Sequence, residues 1–207
     1  SAAMPVDPDS AEDIGDGIFT VTTDQSDYSP GSTAVFTAWN VGVGGTAEFQ
    51  VQHLDAGSDG VLGTSDDVLD AGADGAYGTV DDGYGPAPGD FASDHDLFSA
   101  IDGVGIEGLD GILGSDDDLL LDASTGLYSR DGLYADLDGE ANGQISVGWY
   151  VREPDSLNEL FRLTATSDGA TDTTTFTDGQ LALYAWRNQP GPTLNEWDAG
   201  TTIQPAK

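Results

Sequence analysis

The chain has 207 residues, with 38 Asp and Glu against five Lys and Arg, for a net charge of −33. That balance excludes nucleic acid as a partner and excludes electrostatic attachment to an anionic membrane surface. Cysteine is absent, so no disulfide holds the fold, and no apolar run approaches the roughly 20 residues of a spanning helix, which argues against direct membrane insertion.

Residues 1–16 are rich in Pro, Asp and Ala and read as a linker, with Ser1-Ala-Ala-Met4 expected to be a tag remnant ahead of an internal fragment of a longer protein. Strand signals follow, marked by β-branched and aromatic residues between turn residues. Ile18 to Thr23 is the first, a turn at Tyr28-Ser-Pro-Gly31 comes next, and Ala34 to Trp39 is the second. After a break at Gly42 to Gly45, Ala47 to His53 places Phe49, Val51 and His53 on one face and Glu48, Gln50 and Gln52 on the other. Period two of this kind belongs to a sheet with one wet face.

The alternation stops at Leu54 and resumes at Gln144. Ile145, Val147, Trp149 and Val151 then point one way, and Phe161, Leu163 and Ala165 alternate with Arg162 and Thr164. Thr171 to Thr177 and Gln180 to Arg187 complete the set, and 188–207 reads as a linker or the start of a neighbouring module. About seven short strands without an amphipathic helix predict an all-β, immunoglobulin-like β-sandwich over 17–187, with Trp149 at its centre.

The interruption, 54–143, is the unusual part. Three times it repeats G-x-D-G-x-x-G-[ST]-x-D-D: at Gly57 to Asp67, Gly72 to Asp82 and Gly108 to Asp118. Glycines permit turns that bring carboxylates together, and oxygen donors without nitrogen or sulfur suit a hard cation, above all Ca2+. The candidate ligands are Asp59, Asp66 and Asp67 with Asp55 ahead of them, and Asp74, Asp81 and Asp82 with Asp70 ahead. The third set is Asp110, Asp116, Asp117 and Asp118; it has Ile106 where the others have Asp, so its ligands must differ. Asp136 and Asp138 form a fourth candidate, in a stretch that serves equally as a hairpin turn. Copies one and two run directly into each other, which predicts linked sites.

Of the 38 acids, 31 are Asp and 22 lie between Asp55 and Glu140, opposed only by Arg130. A purely salt-adapted surface would scatter its acids and use more Glu. Two unit charges ~5 Å apart in water repel by about 0.8 kcal/mol, so the insertion, poor in apolar residues, is expected to be loose without calcium and rigid with it. Zinc at His95 and its acidic neighbours is disfavoured by the scarcity of nitrogen and sulfur ligands, and His53 reads as a core residue. An enzyme is not expected. No acid sits in an apolar setting, and no Ser-His-Asp elbow, phosphate loop or HExxH is present.

The segments Val21 to Ala38, Ile145 to Val151, Pro154 to Leu157, Leu163 to Thr166 and Thr174 to Asp178 resemble the opening and closing strands of immunoglobulin-like repeats in very large bacterial surface and adhesin-type proteins. The glycine–aspartate phrases look like the calcium loops of such exported proteins. The resemblance implies an extracellular, cell-surface structural module whose partners are neighbouring modules or copies of the same surface protein. The alternative is a calcium-dependent module binding carbohydrate or protein. Tyr77, Tyr84, Tyr128 and Tyr134 would favour glycans if they formed a platform beside an ion.

Overall fold

A computed structural model describes residues 17–84, 95–152 and 159–178. Among the described residues, the elements with both ends in view are all strands. The first four are β1 (Thr20–Thr23), β2 (Asp27–Tyr28), β3 (Thr33–Trp39) and β4 (Thr46–Asp55). Five short ones follow: β5 (Val68–Leu69), β6 (Phe98–Ile101), β7 (Leu120–Leu121), β8 (Tyr128–Arg130) and β9 (Leu133–Tyr134). The last three are β10 (Ile145–Tyr150), β11 (Leu160–Ser167) and β12 (Ala170–Asp178). The expected strand at Gln180 to Arg187 lies outside the described residues.

Two sheets form. One has the order β1-β3-β10; the other runs β2-β12-β11-β4-β6-β9-β8-β7, with β5 also on β4. Most neighbours are antiparallel, but β2 runs parallel to β12 and β6 parallel to β9. The β11–β12 hairpin turns through Asp168 and Gly169, both at positive φ, in the two-residue form that matches strand twist.

The alternating residues of the two sheets meet in one core. Phe36 on β3 and Trp149 on β10 pack on Phe176 of β12, and Trp149 also meets Phe161 of β11, with ring centroids 5.5 to 5.9 Å apart. Phe49, Val51 and His53 are all fully buried, as the period of two predicts. Arg162, on the opposite face of β11, reaches the side chain of Gln52 instead.

The insertion differs from its sequence reading in one respect. It does not hang outside the apolar core, because Phe98-Ser-Ala-Ile101 forms β6 and pairs with the first half of β4. Phe98 stacks on Phe49 at 5.5 Å and meets Tyr134 at a tilt at 4.6 Å, and Ala100 is fully buried. Hydrophobic burial therefore anchors the middle of the insertion, with two of the glycine–aspartate loops before β6 and the third between β6 and β7.

Candidate metal centre

Each copy of the repeat is one loop closed at equivalent residues. In the first, Asp55 pairs with Val68 across β4 and β5. In the second, the Gly83 N–H donates to the Asp70 carbonyl at 2.7 Å, and in the third the Leu119 N–H donates to that of Ile106 at 2.9 Å. β4 carries the first two directly, since His53 exchanges backbone hydrogen bonds with Asp70 and Gly83.

The glycines of the pattern have separate physical jobs. A Cβ on Gly57, Gly72 or Gly108 would lie 1.9, 2.4 or 2.3 Å from the carbonyl oxygen of Asp66, Asp81 or Asp117, so only a bare Cα fits. The second and third glycines of each copy face open space but hold φ between +67° and +96°, where other residues are strained.

With the backbone so turned, oxygens gather around one hydroxyl. In copy two, Thr79 Oγ1 has Asp81 Oδ1 at 2.7 Å, the Ala76 carbonyl at 3.0 Å, Asp82 Oδ1 at 3.1 Å and Asp74 Oδ1 at 3.4 Å. In copy three, Ser115 Oγ has Asp117 Oδ1 at 2.5 Å, Asp110 Oδ1 at 3.3 Å and Asp118 Oδ1 at 3.4 Å. Copy one gathers Asp66 Oδ1, the Val61 carbonyl and Asp67 Oδ1 around Thr64 Oγ1 at 2.7, 3.1 and 3.5 Å. One hydroxyl proton cannot serve three or four acceptors at once.

Carboxylate oxygens of the repeat, some of them shared with these rings, also organise the backbone. Asp59, Asp74 and Asp110 each accept the amide two residues on. Asp67, Asp82 and Asp118 each accept the amide of the third glycine, Gly63, Gly78 or Gly114. The Thr64 and Ser58 hydroxyls and the Asp59 amide hold the Asp66 carboxyl down at about 2. Thr79 does the same in direction for Asp81, the Gly78 amide for Asp82, and Ser115 for Asp117. These are carboxylates kept ionised, as a metal ligand must be.

Among the described residues, no group of three or more His, Cys, Asp or Glu side chains stands ready-made to hold a metal ion. Within each loop the carboxylates close on a hydroxyl and on backbone amides instead. The donor chemistry nevertheless fits calcium: it is all oxygen, up to three carboxylates per loop, with a backbone carbonyl beside them in copies one and two.

Asp55 and Asp70 do not join these rings. Asp55 accepts the Tyr77 hydroxyl of copy two at 2.9 Å, tying that loop to the base of copy one, and Asp70 accepts the Gly72 amide. The Tyr77 hydroxyl is pushed up by that bond, then by desolvation and the charges of Asp55, Asp70 and Asp82. Asp116 is exposed, and its copy-two counterpart, Val80, is 97% exposed. Its carbonyl, like that of Asp118, accepts from Arg130, which places the insertion's single cationic residue against copy three.

The fourth candidate is built as an anchor. Asp136 is buried and accepts the Gly103 and Ser146 amides, both at 3.0 Å. Burial pushes its carboxyl up, against the pull of those two amides. Asp138 accepts the Glu140 amide and the Asn142 side-chain amide. Asp102, which the sequence reading passed over, does similar work, accepting from Gly44, Asn142 and Gly143. Its Asp-Gly context signals only a turn. The Thr64, Thr79 and Ser115 hubs were visible as the [ST] position of the repeat but are uncharged, so acid counting overlooked them.

The four tyrosines form no single platform. Tyr77 belongs to copy two, Tyr84 lies edge-on to His95 at 6.5 Å, and Tyr128 and Tyr134 line a cavity beneath copy three. No protein-family model matches the chain, and no curated protein matches it significantly. No helix among the described residues is long and apolar enough to cross a membrane.

Proposed function

We propose that this chain is a calcium-stabilised, immunoglobulin-like structural module of an extracellular bacterial surface protein. The observation that carries the calcium reading is the threefold recurrence of one oxygen arrangement, with carboxylates collected around a Thr or Ser hydroxyl that cannot satisfy them. Thr64, Thr79 and Ser115 would stand among the ligands, with Asp59, Asp66 and Asp67, Asp74, Asp81 and Asp82, and Asp110, Asp117 and Asp118. The ion supplies the positive charge that each loop lacks and thereby stiffens the insertion.

The strand order supports the immunoglobulin-like part. β1-β3-β10 facing β2-β12-β11-β4 follows the order of the A, B and E strands against G, F and C, with a short edge strand parallel to the last one. The insertion then occupies the connection between the fourth and fifth strands of that frame. Extracellular placement and assembly with neighbouring modules rest on the resemblance of the strand segments to surface-protein repeats.

The test compares melting in EDTA with melting in ~10 mM calcium, above the affinity range of extracellular calcium modules. A raised midpoint with bound calcium in native mass spectrometry is expected. Identical midpoints and a metal-free mass would overturn the reading and leave acidity as a solubility device.

A further inference from the structure

Beneath copy three, a cavity of about 580 Å³ opens between the Ile106–Glu107 base of that loop, the β8–β9 hairpin and the outer side of β10. That volume lies within the range of small-molecule sites. Leu127, Tyr128 and Tyr134 supply its apolar walls. Gly148 leaves room at its floor, where a Cβ would meet the Leu127 side chain at 2.6 Å. Glu107, Asp136, Asp138 and Glu140 also line it, and among the described residues no Lys or Arg does.

We propose that this cavity binds a primary ammonium carried on an aliphatic stem. The methylenes would lie along Leu127 and the tyrosine rings, whose faces also attract a cation, and the ammonium would meet the carboxylates. A bare metal ion fits less well. Most of the cavity lining is aliphatic, aromatic or glycine, poor in the about six to eight oxygens that calcium takes, and the oxygens of Asp136 and Asp138 already accept hydrogen bonds that hold the surrounding turns. An ammonium adds donors to the second lone pairs of the same oxygens and leaves those bonds in place. Glu107 brings its carboxylate to the cavity wall over Gly105, 2.9 Å from where a Cβ would stand. Arg130 does not compete, because its guanidinium is held by the Asp116 and Asp118 carbonyls. The stem-borne ammonium has two sources, a lysine side chain of a partner protein or a free aliphatic amine.

The isotope-labelled 207-residue chain in saturating calcium is titrated with pentylammonium and, separately, with Nα-acetyl-lysine amide. Amide shifts at Leu127, Tyr128, Tyr134 and Gly148 are expected, weakened about tenfold in affinity by Glu107→Gln with Glu140→Gln, side chains outside the buried core. An unchanged melting midpoint shows that the double variant folds. Tighter binding of the lysine derivative assigns a protein partner, and equal or tighter binding of pentylammonium assigns a free amine; either supports the site. Equal shifts with 1-pentanol, no shifts, shifts spread over all acidic loops and lost at ~0.15 M salt, or the same shifts with calcium alone would each overturn it. Repeating the titration in EDTA separates this outcome from failure of the calcium reading, because the cavity walls contain none of the loop hydroxyls.

Discussion

The Nε2 atoms of His53 and His95 lie 3.2 Å apart in the interior, joining β4 to the residue that leads towards β6. His95 Nδ1 is 3.2 Å from the Val51 carbonyl, which can only accept, so in the neutral pair His95 carries its proton on Nδ1 and accepts from His53 Nε2–H. Phe161 lies against His53 at 4.6 Å, and Trp149 is 6.1 Å from His95. The pair thus fastens the insertion to the core between the two sheets without help from any ion.

Replacing His95 with Ala should therefore cost about 2–4 kcal/mol through the cavity and the orphaned His53 donor. The loss should be the same in EDTA and in calcium when followed by urea denaturation. Leu113→Ala, at a side chain 71% exposed in the third loop, should stay within about 0.5 kcal/mol of the parent. A His95→Ala loss that vanished in EDTA would mean that the ion, not the core, holds this segment.

The first glycine of the repeat offers a second test. Gly57→Ala would press a methyl carbon to 1.9 Å from the Asp66 carbonyl, so the whole of copy one must open. Gly60→Ala meets nothing and costs only the strain of its positive φ, about 1–2 kcal/mol. In calcium titrations, Gly57→Ala should abolish one binding event while Gly60→Ala weakens it. Equal effects would contradict the division of labour among the glycines.

Much of this arrangement was legible because one physical rule dominated locally. Phe49, Val51, His53 and Phe161, Leu163, Ala165 alternate because each strand has one dry face. Asp66, Asp81 and Asp117 recur because each closes on a glycine that tolerates no side chain. β6 was not legible: four residues present two positions to each face, too few to show a period, and an acidic stretch precedes them. β5, β7 and β9 are shorter still, and their pairing is decided by the loops they close. Asp102 reads as a turn residue and Asp136 equally as a turn residue or a metal ligand, because burial of a carboxylate against distant backbone amides leaves no local mark.

Acid titration should find the loops tightest where hydroxyls serve carboxylates. Asp66 falls from an ordinary 3.8 to about 2, and Asp81, Asp82 and Asp117 fall in the same direction. A depressed folded value means that the stabilisation is complete above the unfolded value. It is lost as pH drops from about 3.8 through about 2. Carboxyl NMR in EDTA should place the Asp66 midpoint near the lower figure, and Thr64→Val with Ser58→Ala should move it upward. A midpoint unmoved by that double variant would show that the hydroxyls do not hold the charge.

The bond from Tyr77 to Asp55 predicts which of the proposed calcium sites act together. In millimolar calcium, a site of roughly 10⁻⁴–10⁻³ M affinity adds about 0.4–1.4 kcal/mol of apparent stability. Asp66→Asn, Asp81→Asn and Asp117→Asn should each remove about that much from the difference between calcium and EDTA. Copies one and two share a boundary at Asp70 and a cross-link through Tyr77, so the Asp66 and Asp81 variants should combine non-additively, and Tyr77→Phe should restore additivity. The Asp117 variant, in a loop closed separately at Ile106 and Leu119, should add to either within about 0.5 kcal/mol. Coupling of copy three to the others as strong as theirs to each other would require a single cooperative insertion instead of one linked pair and one independent loop.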